Sequence, residues 1–249
     1  MKKLLFVFTI IILTVGCKKN SDEIVFEGTL NNCIEKKIYL AKVTPEGKFL
    51  IDSCGLKKGC FRLKISAYDK FEKAKIKQPA FYEISLSPNN AFTTIARGGE
   101  KIKIEANAIQ LVKNYQVTGG EDAQLMRQLD HRLALFIDSV ECLQLLYNQN
   151  IYNDSVKIFI ENSYNNHVYN HTEYLKDFIK QHASSLVSIT AFYQKFNRRI
   201  FLPESENMDL LQKIYNTLND LYPENENVIF IENRILMLKE KERNLIKQK

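Results

Sequence analysis

The sequence predicts an α+β fold: an antiparallel β-sandwich or open barrel over residues 24–118, followed by a helical region over residues 119–249. Three observations carry this. Between Ile24 and Thr118 apolar residues recur with period two, broken by turn residues at the spacing of a many-stranded sandwich. After Gly119-Gly120 the apolar period becomes that of a helix. Nine glycines and five prolines in 249 residues are too few for a disordered tether, so the chain is globular.

In the first half, Ile24, Phe26, Gly28 and Leu30 share one face of a strand, and Val25, Glu27 and Thr29 the other. Asn31-Asn32 supplies a turn, residues 37–43 alternate again, and Pro45-Glu46-Gly47 is a second turn. Residues 49–54 and 60–66 make the clearest hairpin. Phe61, Leu63 and Ile65 point one way and Arg62 and Lys64 the other. The Lys57-Lys58-Gly59 connection suits a turn with glycine in the left-handed conformation. Further strands fit residues 80–86, 91–96, 101–106 and 114–118. Gly98-Gly99 reads as a hairpin turn, because it is too short for a phosphate cradle and no helix follows it.

In the second half, Leu125, Leu129, Leu133, Phe136, Val140 and Leu143 form one apolar stripe at helical spacing. A second long helix runs from Asp154 through Ile158, Tyr169, Leu175 and Phe178 to about His182. Ser184-Ser185 caps a shorter helix through Ala191 to Phe196. Pro203 breaks the chain, a helix covers 207–221, Pro223 ends it, and a last helix covers 228–247.

The start of the chain has a different character. Met1-Lys2-Lys3 is a positive beginning, residues 4–15 are uncharged and mostly apolar, and Leu13-Thr14-Val15-Gly16-Cys17 leads directly into polar Lys18-Lys19-Asn20-Ser21. These are the three parts of a secretory signal. The apolar run is shorter than the ~20 residues a membrane-spanning helix needs. Leu-x-x-Gly-Cys resembles the bacterial lipobox, which implies cleavage before Cys17 and acylation of that residue. The expected organisation is a lipoprotein signal peptide (1–16), a lipidated linker (17–23), the β domain (24–118) and the helical region (119–249). Two or more acyl chains hold a protein on a bilayer where one does not. Lys18 and Lys19, with no Asp directly after Cys17, favour the outer membrane of the cell envelope, with the body facing the periplasm.

The formal charge of the whole chain is +6. Lys and Glu interleave along it as on a solvated surface, and no basic block tracks a phosphate backbone, so nucleic acid is not an expected partner. Besides Cys17 there are Cys33, Cys54, Cys60 and Cys142, which export would place in an oxidising compartment. Three pairings are open to four cysteines, and sequence does not choose among them. Cys54 and Cys60 flank the expected hairpin and are a candidate disulfide; otherwise most of these thiols are expected to be small buried hydrophobes. No C-x-x-C occurs, so neither a thioredoxin-type dithiol nor a zinc knuckle is expected.

Other chemistry-bearing residues have plain readings. His167 and His171 lie four apart on a helix, where a metal would need Glu161 or Glu173 as well; the expectation is two polar residues on a wet face and no metal. Asp52-Ser53 ends a strand and bonds locally, since no G-x-S-x-G elbow accompanies it. Tyr147, Tyr152, Tyr164, Tyr169, Tyr174 and Tyr193 read as half-buried bundle residues, with a protein interface as the alternative. No catalytic residue and no cofactor are expected.

A set of short motifs resembles one family. Ile51-Asp52-Ser53-Cys54-Gly55 through Gly59-Cys60-Phe61-Arg62-Leu63 is similar to its "D-S-x-x-x-x-x-G-x-F-x-F" segment. Phe26-x-Gly28-Thr29-Leu30 resembles its first strand, and Gly99-Glu100-Lys101-Ile102-Lys103-Ile104 its "G-D-x-I-x-I" strand. Val117-Thr118-Gly119-Gly120, Ser184-Ser185-Leu186-Val187-Ser188 and Tyr222-Pro223 with Val228 match its later motifs. The family is the N-terminal domain of unknown function that precedes a thioredoxin-like domain in AhpC/TSA- and TlpA-related lipoproteins. In longer relatives a thioredoxin fold with C-x-x-C follows; residues up to Lys249 contain none, so no redox role carries over to a residue here. The resemblance implies a non-enzymatic, membrane-anchored binding or scaffold module with a protein or small-ligand partner. The alternative is an accessory to a thiol-disulfide pathway, or a remnant of such an oxidoreductase.

Overall fold

The computed structural model describes residues 22–66 and 76–247, so the signal segment and Cys17 lie outside the described residues. The chain is α+β, with strands first and helices after. The strands are β1 (Ile24–Asn31), β2 (Lys37–Thr44), β3 (Gly47–Gly55), β4 (Cys60–Ile65), β5 (Ala80–Ser87), β6 (Asn90–Ala96) and β7 (Lys101–Asn107). A one-turn helix α1 (Leu111–Asn114) and strand β8 (Gln116–Thr118) complete this half. The helical half holds α2 (Glu121–Gln149), α3 (Asp154–Gln181), α4 (Val187–Phe192), a small β9 (Lys195–Phe196) and β10 (Arg199–Ile200) hairpin, α5 (Met208–Leu221) and α6 (Glu226–Lys247).

Two four-stranded sheets form, ordered β4-β1-β7-β8 and β3-β2-β5-β6. All their ladders are antiparallel except one: β1 and β7 run parallel, with Val25 opposite Lys101 and Asn31 opposite Asn107. This corrects the wholly antiparallel expectation. Its cause is the segment after β6. Gly98-Gly99 does not close a hairpin but carries the chain from one sheet to the other. Gly98 N–H donates to the Ile76 carbonyl at 2.6 Å and Gly99 N–H to that of Glu23 at 3.1 Å. The chain therefore enters β7 at the end where β1 begins, and can only run alongside it. Gly28 permits this approach, because a Cβ there would be driven into the Ile104 carbonyl.

The expected hairpin of residues 49–66 is also corrected. β3 pairs with β2 and β4 pairs with β1, so the two segments belong to different sheets. Between them Leu56 N–H bonds to Lys36 O at 3.0 Å and Leu30 N–H to Gly59 O at 2.9 Å, which ties the crossing to both sheets. Lys58 and Gly59 take positive φ of 54° and 77° there, as the turn chemistry predicts. The expected strand at 114–118 shrinks to Gln116–Thr118, since α1 precedes it. The helix expected to reach Phe196 stops at Phe192, where Asn197, at φ 52°, turns the β9–β10 hairpin.

Two apolar clusters follow from the alternation. Ile24, Phe26, Ile38, Leu40, Leu63, Tyr82, Ile84, Ile102 and Ile104, drawn from both sheets, make the first. Phe81 and Ile95 sit opposite each other in the β5–β6 register, on the other face of those strands. They join the second cluster, with Leu129, Phe136, Leu175, Phe178, Ile179, Phe192, Leu211, Ile214 and Ile231 from the helices. Each of these large side chains contributes about 1.5–3 kcal/mol by leaving water. Packing thus continues across the residue 118/119 boundary, and α2 lies against β6.

Candidate functional site

α2 turns Ala123, Met126, Leu129 and Phe136 into the body. Asp130, about 100° around the helix from Leu129, faces α1 and β8 instead. There Tyr115, fully buried between α1 and β8, stacks on Phe92 with ring centroids 4.1 Å apart and planes 19° apart. Its hydroxyl donates to Asp130 Oδ2 at 2.7 Å. Arg127, one turn earlier on α2, places its guanidinium 5.1 Å from the Tyr115 ring centroid and donates through Nε to the Tyr115 carbonyl.

Burial dominates the electrostatics of this pair. It pushes the Asp130 carboxyl up to about 6, against the opposing pull of the Tyr115 hydroxyl and the Arg127 charge. The Tyr115 phenol is driven well above its usual range by burial and then by the Asp130 carboxylate.

Asp130 lines a cleft of about 460 Å³. One wall is the β5–β6 turn, Asn89 to Ala91, and the other is Ile109, Gln110, Val112 and Lys113. The floor is α2, with Leu133, Ala134 and Ile137 between Asp130 and the acidic pair Asp138 and Glu141. Asn90 fixes the walls to each other, since its Oδ1 accepts from Leu111 N at 2.9 Å and its Nδ2 donates to the Ala108 carbonyl. Lys113 Nζ meets Asp138 Oδ1 at 2.7 Å. Ile109 and Val112 stand 70% and 48% exposed at the rim. The cleft mixes apolar and polar groups in about equal measure, and a concavity that holds a perturbed carboxyl is a candidate binding site. The sequence reading missed it. Asp130 is a single acid on an amphipathic helix, and only the pairing of β7 with β8 brings Tyr115 to it.

The residues singled out in the sequence fall elsewhere. His171 is not on a wet face, which corrects that expectation. It is 1% exposed and packs on Phe136 and Phe201 at centroid distances of 5.0 and 4.5 Å. Its Nε2 lies 2.7 Å from Gln194 Oε1, and Nδ1 is buried without a partner. Desolvation lowers its pKa, so the ring is neutral and Nε2 carries the proton donated to Gln194. The signal was present: His171 continues the buried stripe Val168, Leu175, Phe178 at helical spacing. His167, a half-exposed neighbour on α3, does not share this burial. Among the described residues no group of three or more His, Cys, Asp or Glu is placed to hold a metal.

Cys33, Cys54, Cys60 and Cys142 are thiols in this structure. Cys54 stands opposite Ile38 in one sheet and Cys60 opposite Thr29 in the other, so the ladder expected to bracket the pair does not exist. Burial and the Glu35 carboxylate, whose Oε2 lies 3.5 Å from Cys33 Sγ, raise the Cys33 pKa, away from a reactive thiolate. Asp52 does bond locally, accepting from Ser53 N at 2.7 Å, and it also accepts from Lys64 N at 3.2 Å, joining β3 to β4. Tyr164 and Tyr174 are half-buried against the helical cluster, whereas Tyr152 is 93% exposed.

Compared with known proteins, the chain matches no protein-family model and no curated protein.

Proposed function

We propose that this protein is a lipoprotein of the bacterial cell envelope, acylated on Cys17, whose folded body is a binding module rather than an enzyme. The observation that carries this is Leu13-Thr14-Val15-Gly16-Cys17 behind a charged start and a short apolar run, with the folded body starting at β1 only a few residues later. A tether that short holds the body close to the bilayer surface. The outer membrane, periplasmic side, is the location that Lys18-Lys19 favours. None of the helices described is long and apolar enough to cross a membrane, and a lipid anchor requires none.

The body is a relative of the module that precedes thioredoxin-like domains in envelope lipoproteins, a reading supported by the order and spacing of its short motifs. Its two sheets are the halves of a sandwich, supported by their shared apolar cluster. The Asp130 cleft is the feature that best suits a binding role.

The test is metabolic labelling with an alkyne fatty acid in a bacterium that processes lipoproteins. Label on the wild-type protein, its loss in Cys17→Ser and fractionation with membranes are expected. Wild-type protein that carries no label sinks the anchor.

A further inference from the structure

We infer that the Asp130 cleft binds a primary ammonium group carried on an apolar stem, either a free alkylamine or a lysine side chain. This rests on the binding-module reading above and gives that module a ligand class.

Charge sets the sign of the ligand. In a chain of formal charge +6, the cleft presents Asp130, Asp138 and Glu141 against the single ammonium of Lys113. Lys113 is held on Asp138, and Arg127, whose charge also acts on Asp130, is not among the residues that line the cleft. A cation is drawn in and an anion repelled. The stem follows from the floor, where Leu133, Ala134 and Ile137 separate Asp130 from the outer acids, and from exposed Ile109 and Val112 above them. A chain of several methylenes covers that surface and gains about 0.8 kcal/mol for each CH₂ it buries.

The headgroup follows from how Asp130 is held. A guanidinium is bound best by both oxygens of one carboxylate. At Asp130 the Tyr115 hydroxyl already occupies Oδ2, so a guanidinium fork would have to share that oxygen. Asp138 likewise has Oδ1 engaged by Lys113. Asp138 lies about 12 Å along α2 from Asp130, beyond the apolar floor, so the head group meets one carboxylate at a time, and a compact ammonium, content with a single acceptor oxygen, fits this better than a fork. A quaternary ammonium would call for aromatic faces, and none of the cleft's lining residues is aromatic.

The experiment titrates the full protein, purified from cells and held in lipid nanodiscs. The readout is the isoleucine methyl NMR signals of Ile109 and Ile137, with empty nanodiscs as blank. The probes are n-butylammonium, Nα-acetyl-lysine methylamide, butylguanidinium, butanol and butyrate. Saturable shifts are expected with the two ammonium probes, or with the lysine probe alone if the ligand is a peptide. Butylguanidinium should bind several-fold more weakly. Asp130→Asn should weaken ammonium binding about tenfold, as loss of a charge-assisted bond does, and Glu141→Gln about twofold to threefold. The amide keeps an acceptor for Tyr115, so the variant tests charge and not folding. The inference falls if no ammonium probe gives a saturable shift, if butanol, butyrate or butylguanidinium does as well, or if Asp130→Asn changes nothing. Equal binding of butanol would leave an apolar binding module without its cation. Failure of Cys17 labelling would remove the anchor and leave this titration unaffected.

Discussion

If Asp130 is kept for binding and not for folding, Asp130→Asn should make the protein more stable at neutral pH. Burial raises its carboxyl from an ordinary 3.8 to about 6, so the folded state disfavours the ionised form. The native state then holds more protons than the unfolded chain between those two values. Stability therefore falls as pH rises from about 4 to about 6, and stays lower above that. A shift of two units corresponds to about 3 kcal/mol. Asp130 opens onto the cleft, where solvent screens part of this, so about 1–2 kcal/mol is the expected cost. Asparagine removes the ionisation and keeps an oxygen for the Tyr115 hydroxyl. Urea unfolding of both proteins at pH 4.5 and pH 7.5 reads the effect. The variant should exceed wild type by about 1–2 kcal/mol at pH 7.5 and by roughly a third of that at pH 4.5. A variant less stable than wild type at pH 7.5, by more than at pH 4.5, would show the carboxylate to be a stabilising partner and refute the reasoning.

Two further outcomes follow from the packing. Gly28→Ala should lower stability by about 3 kcal/mol, because its Cβ forces β1 and β7 apart at the Ile104 carbonyl; a urea midpoint close to wild type would mean that this parallel pair is wrongly placed. His171 is neutral in the fold, with a pKa below its ordinary 6.5, so the unfolded chain takes up the proton first and stability falls as pH drops through 6.5. His171→Gln, measured in the Asp130→Asn background so that the opposite slope of that carboxyl does not overlap, should flatten the curve between about pH 5 and 7, and an unchanged slope would place the ring in water.

How far the sequence carried depended on whether the cause of a feature was local. Strand positions were legible because alternation is a property of five or six consecutive residues. Ile24, Phe26 and Leu30 do turn inward together, and Phe61 and Leu63 with them. The two long helices were legible for the same reason, down to the Asp154 start of α3. Partnership was not. Residues 49–66 and 91–106 each read as a hairpin, because two strands joined by a glycine turn usually are one. In both, the turn carries the chain between sheets, and what decides this is which edge remains free: β2 already pairs β3 and β5, and β1 receives β4 and β7 on its two sides.

The same distinction governs the site. The proposal for Cys17 rests on a motif of adjacent residues, Leu13 to Cys17, which lies outside the described residues. His171 lies on a stripe that is visible in the sequence, with Val168, Leu175 and Phe178, and its place on that stripe outweighs its polarity. Asp130 had no local signal. Its environment is made by Tyr115, which reaches it only because α1 and β8 fold back beside β6 and β7, and by Asn90, which pins that return to the β5–β6 turn. Burial disfavours the charge of Asp130, whose Oδ2 is tied to a buried phenol and whose side chain lines a cleft. This separates it from ion pairs such as Arg234 with Glu204, where both carboxylate oxygens are engaged at 2.7 and 2.6 Å and the charge is lowered in energy by its partner. Glu204 belongs to the scaffold, joining the loop before α5 to α6, whereas Asp130 lines the cleft.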